Sequence, residues 1–273
     1  MFYAMAENKI DLRGYRFEHR LEDIQTLNER AMRGELHISA VSIHAYAHIT
    51  DKYALLPCGA SMGDGYGPLL VRKSSRLNAQ RSTSNEEEDR RQWLKNATVA
   101  VPGTMTSAFL ALRLYLGEFK HVVVPFDQIF DAVQNGRADA GLIIHEGQLT
   151  YARSGFEKIV DLGEWWKSET GLPLPLGGNV LRKDIPHAIR RDILEIMRES
   201  IDYGLAHREE GVRHSMPYAR DMDAALAGKF IGMYVNDFTR DYGQTGRNAI
   251  RKFLGDARQA GYLDKDVDIQ FVE

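Results

Sequence analysis

The sequence predicts an α/β protein with a mostly parallel sheet and a helical cover toward its C-terminal end. Three observations carry this. Strand-like and helix-like patterns alternate between residues 98 and 144. The apolar run GLII lacks polar alternation, as a strand covered on both faces does. From Ile189 onward the hydrophobic period becomes helical.

Taken in order, Tyr15 to Arg20 reads as a strand. Leu21, Ile24, Leu27, Ala31 and Met32 then share a helical face that Gly34 closes. HISAVSI, residues 37 to 43, reads as a strand leading into HAYAHI, and LLPCGASMGDGYGPLLV supplies two extended segments around a glycine loop. TVAVPG, residues 98 to 103, is a strand that stops at Pro-Gly. TMTSAFLALRLYL, residues 104 to 116, is a helix opened by Thr and Ser. HVVVP is a strand, FDQIFDAVQNG a helix ended by Gly136, and ADAGLII another strand. Ile189, Ile193, Ile196, Met197 and Ile201 share a face, and two further helical stretches, DMDAALAGKFIGMYVNDF and RNAIRKFLGDARQAGYL, complete the cover.

Two hairpin-like passages, PLLVRK near 68 to 73 and GGNVLRKDI near 177 to 185, bracket the middle block. The expectation is a discontinuous first lobe, residues 1–71 plus 182–273, and a second lobe at 98–176, with the cleft between lobes as the ligand site. RLNAQRSTSNEEEDRRQ, residues 76–92, is charged in both signs and nearly free of apolar residues, which reads as an exposed insertion.

Composition narrows the function classes. The 273 residues are 44% hydrophobic and 27% charged with a net charge of −3, so there is no basic excess for gripping nucleic acid. Cys58 is the single cysteine, which excludes an intrachain disulfide and a cysteine-based zinc cage and suits a reducing compartment. No run reaches the roughly 18 apolar residues of a membrane span, and MFYAMAENKIDLR lacks a signal-peptide core. A cytoplasmic protein acting on a small molecule is the expectation.

Several motifs compete for the chemistry. His145-Glu146 begins like HExxH, but residue 149 is leucine and the segment is strand-like. His44 and His48 stand i, i+4 without a visible third metal ligand, which favours ordinary packing. GDGYG, residues 63 to 67, precedes a strand instead of following one, so it is not a dinucleotide fingerprint. PGTMTS places Thr106 and Ser107 in the first turn of a helix, where free N–H groups attract a carboxylate or phosphate; simple capping is the alternative. Trp165 and Trp166 read as packing residues. His145 stands at the C-terminal end of a central strand, where open α/β sheets place ligands, and an imidazole exchanges protons near neutrality. A hydrogen-bonded structural histidine is the competing reading.

GLIIHEGQLTY, DLGEWWKSETGLPLPLGGNVLRKD, VAVPGTMTSAFLALRLY, LEDIQTLNERAMRGE and MYVNDF together resemble the 1,4-dihydroxy-6-naphthoate synthases of the futalosine route to menaquinone, over almost the whole chain outside residues 76–92. The resemblance implies the two-lobed fold of type 2 periplasmic binding proteins, used as a cytoplasmic enzyme. It implies a lyase that converts cyclic dehypoxanthinylfutalosine to 1,4-dihydroxy-6-naphthoate without metal or organic cofactor. It also implies His145 as catalytic base, with substrate contacts from Ala40, Val41 and Ser42 at a strand end, from Thr106 and Ser107 at a helix start, and from Asn28.

Two departures accompany it. The family begins with a strand and a Ser-Pro-x-x-Asp loop, and this sequence starts just beyond them, so an encoded protein with about fifteen further residues upstream of Met1 is expected. Many members carry a polar or basic residue where Ala40 stands, which puts recognition of the substrate carboxylate in question. The rival readings are chorismate dehydratase, which shares the DLGEWW-type motif but lacks the HEG histidine, and a non-catalytic binding protein for an aromatic carboxylate.

Overall fold

Residues 1–74, 86–219 and 222–273 are described in the computed structural model. Its strands, in chain order, are β1 (Ile38–Ser42), β2 (Tyr53–Leu55), β3 (Ser61–Gly63), β4 (Leu69–Lys73), β5 (Thr98–Val101), β6 (Lys120–Val123), β7 (Ala140–Ile143), β8 (Phe156–Asp161) and β9 (Leu174–Arg182). They form two sheets. In the first, β1 and β2 flank β9, both antiparallel to it, and β3 also pairs with β9. In the second the order is β6-β5-β7-β4-β8, with β5 parallel to both β6 and β7.

The parallel pairs fall where the sequence alternates strand and helix, because a helical crossover returns the chain to the same end of the sheet. The other described pairings differ. β4 lies antiparallel between β7 and β8, with a register shift between Leu70 and Val71. The passage at 68 to 73, read from sequence as a link bracketing the second lobe, is thus an inner strand of the second sheet.

The chain divides into two compact units, Met1–Gly63 with Pro175–Glu273, and Asp64–Leu174. In the first, the helix His187–Ala206 lays Ile193, Leu194, Ile196, Met197 and Ile201 against Met5, Ala54, Leu56, Leu181 and Val272. In the second, Leu69, Val71, Ala100 and Ile143 pack against Ile129, Ala132 and Val133 of the helix Ile129–Gln134. Gly141 lets that helix approach, since a Cβ there would stand 2.5 Å from Ile129 Cγ2.

Tyr15 to Arg20 is not a strand. Tyr15 and Phe17 pack against the first core, and the Tyr15 hydroxyl donates to Asp192 at 2.7 Å, so the segment is held by its side chains and not by a ladder. The following helix runs Ile24–Met32, with Asp23 accepting from the Gln25 and Thr26 amides at its start and Gly34 at φ 72° beyond its end. Of the expected insertion at 76–92, residues 76 to 85 lie outside the described residues, and the remainder enters the helix Glu86–Asn96. Among the described residues no helix is long and apolar enough to cross a membrane.

Candidate functional site

In the second unit the candidate site grows from the end of β7, the middle strand of its sheet. Ala140 to Ile143 are buried without exception, and the chain leaves the strand at Ile144 to present His145 before the short helix Gly147–Thr150. The His145 side chain keeps 13% of its surface accessible. Its ring lies edge-on to Phe126 and Phe130, at centroid distances of 5.7 and 5.9 Å. The Gly147 amide donates to His145 Nδ1 at 2.9 Å, and the Gln148 amide donates to the His145 carbonyl at 2.9 Å. Glu146 Oε2 stands 3.8 Å from Nδ1, an ion pair only when the ring is charged. Gln148 is buried and donates from Nε2 to the Ile143 carbonyl at 3.2 Å, tying the turn back to the strand. A titratable ring is therefore seated among aromatic carbons and oriented by backbone.

The helix Ser107–Leu116 begins in the same unit. Thr106 is its cap: its hydroxyl accepts from the Phe109 amide at 3.1 Å and donates to the Gly103 carbonyl at 2.9 Å. Thr106 and Ser107 are both 2% exposed. The capping role of Thr106, left open by the sequence, is realised, and its hydroxyl has one lone pair remaining for any further partner.

DLGEWW is a structural unit. Asp161 caps the helix Leu162–Thr170 through the Gly163 and Glu164 amides, at 2.8 and 3.2 Å. Burial pushes its carboxyl up to about 6, against the lowering effect of those two amides. Trp166 is buried and donates from its ring nitrogen to the Pro173 carbonyl at 3.1 Å, while Trp165 packs edge-on to Tyr115. GDGYG serves the same unit: a Cβ on Gly163 would stand 1.9 Å from the Tyr66 carbonyl oxygen, and one on Gly67 would stand 2.8 Å from the Gly163 nitrogen. The loop is a place where backbone packs on backbone.

In the first unit, β1 pairs Ala40, Val41 and Ser42 with Asn179, Gly178 and Gly177. Val41 is fully buried, so its side chain belongs to the core; Ala40 and Ser42 point to the other face of the strand. Asn28, on the helix Ile24–Met32, grips Ser42 twice. Its Oδ1 accepts the Ser42 amide at 2.9 Å and its Nδ2 donates to the Ser42 hydroxyl at 3.1 Å. Asn28 has no exposed surface, which makes it a support for the strand end. His44 and His48 pack ring to ring at 5.6 Å, and among the described residues no three His, Cys, Asp or Glu gather as a metal would need.

The structure thus seats His145, Thr106 and Ser107 in one unit and Asn28, Ala40, Val41 and Ser42 in the other. Sequence reasoning passed over Phe126 and Phe130 as site residues, although their i, i+4 spacing in FDQIF puts two rings on one helical face.

A family model described as menaquinone biosynthesis matches residues 1–259. The chain is 36% identical over 261 residues to a protein of Thermus thermophilus named 1,4-dihydroxy-6-naphthoate synthase, covering 96% of this chain and 90% of that one. It is also similar to the crystal structure of an Archaeoglobus fulgidus protein, with a TM-score of 0.86 and 40% identity over 96% of this chain and 92% of the other. The periplasmic aliphatic sulphonate binding protein of Escherichia coli shares the fold alone, with a TM-score of 0.57 and 14% identity over 91% of this chain and 79% of that one.

Proposed function

The chain belongs to the menaquinone biosynthesis family, and from that premise we infer that it is a 1,4-dihydroxy-6-naphthoate synthase, a lyase acting on cyclic dehypoxanthinylfutalosine. The observation that carries the reading is His145, an imidazole seated at the end of a buried central strand, flanked by two aromatic rings and oriented by a backbone amide.

The reaction asks little else of a protein. A base removes a proton from the substrate, a carbon–carbon bond breaks, a small sugar-derived fragment leaves and the remaining ring system becomes aromatic. What must be supplied is orientation, exclusion of water and one group that titrates near neutrality. In this reading His145 takes the proton. Ala40, Ser42, Thr106 and Ser107 are the proposed substrate contacts, and Asn28 acts by holding Ser42. The relatives are biosynthetic enzymes and the only cysteine is a buried thiol, which supports a cytoplasmic location.

Incubation of the purified chain with cyclic dehypoxanthinylfutalosine, followed by mass-spectrometric detection of 1,4-dihydroxy-6-naphthoate, tests this directly. A parallel incubation with chorismate tests the dehydratase alternative. Tight binding of the naphthoate without turnover of either substrate would instead identify a passive binding protein.

A further inference from the structure

We propose that Gly177 and Ser61 extend the substrate contacts of Ala40 and Ser42 across the first sheet. Gly177 is a bare patch of strand on which a planar ring of the ligand lies, and the Ser61 hydroxyl donates to an oxygen carried by that ring system. This deepens the lyase reading and rests on it. The placement comes from the register. Ala40 and Ser42 of β1 stand directly opposite Asn179 and Gly177 of β9, and residues paired in this way project from the same face of a sheet. A Cβ built on Gly177 would stand 3.9 Å from the Ser61 Cβ, so Ser61, on β3, rises beside it on that face. Ser42 and Ser61 thus border Gly177 from two different strands.

Neither the backbone nor the core asks for a glycine at 177. The residue is absent from those with positive φ, and β1 pairs with β9 through it without a register shift. Its neighbour Gly178 does have a packing reason, since a Cβ there would stand 2.5 Å from the Tyr242 hydroxyl and 3.0 Å from Leu55 Cδ2. Over Gly177, its chain neighbours aside, only the Val41 carbonyl at 3.2 Å and the Ser61 Cβ come within 4 Å among the described residues. A glycine inside a strand weakens it, and where no bulge or core contact accounts for one, close approach of a ligand does. Two donors border the patch. The Ser42 hydroxyl accepts from Asn28 Nδ2 at 3.1 Å, which leaves its own proton to donate. Ser61 is half-buried, and its hydroxyl has no hydrogen-bond partner among the described residues. A flat peptide face between two hydroxyl donors suits a planar ring bearing oxygen acceptors, as the proposed substrate and product are.

Calorimetric titration of the full chain with 1,4-dihydroxy-6-naphthoate is the test. In Gly177→Ala the methyl lifts the ring off the strand, and Kd should rise about tenfold, roughly the loss of one good contact. The thermal midpoint should change little, because the gain from replacing a strand glycine offsets the 3.2 Å contact with the Val41 carbonyl. Ser61→Ala removes one donor and should raise Kd about five- to tenfold. Wild-type affinity in both variants overturns the proposal, as does a wild type that binds no naphthoate. A Gly177→Ala protein with a lowered midpoint and wild-type affinity also overturns it, by assigning the glycine to the backbone. Should that variant not fold, Ser61→Ala decides, and an unchanged Kd overturns the proposal. Turnover of cyclic dehypoxanthinylfutalosine separates this site from the reading it rests on. Naphthoate binding that weakens in both variants, without turnover by the wild type, refutes the lyase activity and supports the site; wild-type turnover with Kd and KM unchanged in both variants refutes the site and leaves the lyase standing.

Discussion

Replacing Asn28 with alanine removes two side-chain bonds to Ser42 at the end of β1. The Ser42 amide loses its acceptor at 2.9 Å and the Ser42 hydroxyl loses its donor at 3.1 Å, at a place where Ser42 is only 3% exposed. A buried N–H without a partner costs about 1–3 kcal/mol, and the lost hydroxyl bond adds about 1 kcal/mol, so the substitution should destabilise by about 2–4 kcal/mol. Ser42→Ala keeps the amide bond and loses only the second, for about 1 kcal/mol with a further penalty for the stranded Asn28 amide. In the double variant the shared hydroxyl bond is counted once, and a coupling of about 1 kcal/mol should appear. Urea unfolding followed by circular dichroism reads these values as shifts in midpoint at constant slope. The same variant should raise KM more than it lowers kcat, because the loosened strand end is a proposed substrate contact. An Asn28→Ala protein within about 0.5 kcal/mol of wild type, the range of an ordinary surface change, would refute the reasoning.

His145→Asn retains size and some hydrogen bonding but lacks a proton acceptor, so turnover should fall by about two to four orders of magnitude while naphthoate binding, measured by calorimetry, persists; near-normal turnover would remove His145 from the mechanism. Gly163→Ala drives a methyl into the Tyr66 carbonyl, 1.9 Å away, where only backbone can yield, and should cost about 1–3 kcal/mol or more in thermal unfolding. Burial raises the Asp161 carboxyl from its ordinary 3.8 to about 6 in the folded state, so the folded state binds this proton more tightly than the unfolded one. Its contribution to stability is complete below pH 4 and is lost as pH rises through 6. Asp161→Asn keeps the capping oxygen without the charge, and its thermal midpoint relative to wild type should rise between pH 5 and pH 8; a difference that does not change with pH would contradict this.

Sequence by itself determined the local grammar of this protein. The alternation from Thr98 to Ile143 placed three strands and two helices and predicted their parallel pairing, because a helical crossover demands a parallel return. Burial on both faces explains the apolar run of β7, whereas β6 is an edge strand with Val123 half exposed. The helix start was legible at Thr106, since a short oxygen-bearing side chain satisfies the first free amides. His145 was legible as a polar ring directly after an apolar run. Tertiary structure decided what depends on atoms distant in the chain. It inserted β4 between β7 and β8, made β9 the strand on which β1, β2 and β3 assemble, and left Tyr15 to Arg20 without a ladder. It showed Asn28 bonding both the amide and the hydroxyl of Ser42, fourteen residues away. It also revealed why Gly67, Gly147 and Gly163 are glycines. Periodicity reports which face of an element is buried, but it carries no information about which backbone or ring lies within 3 Å of where a Cβ would stand.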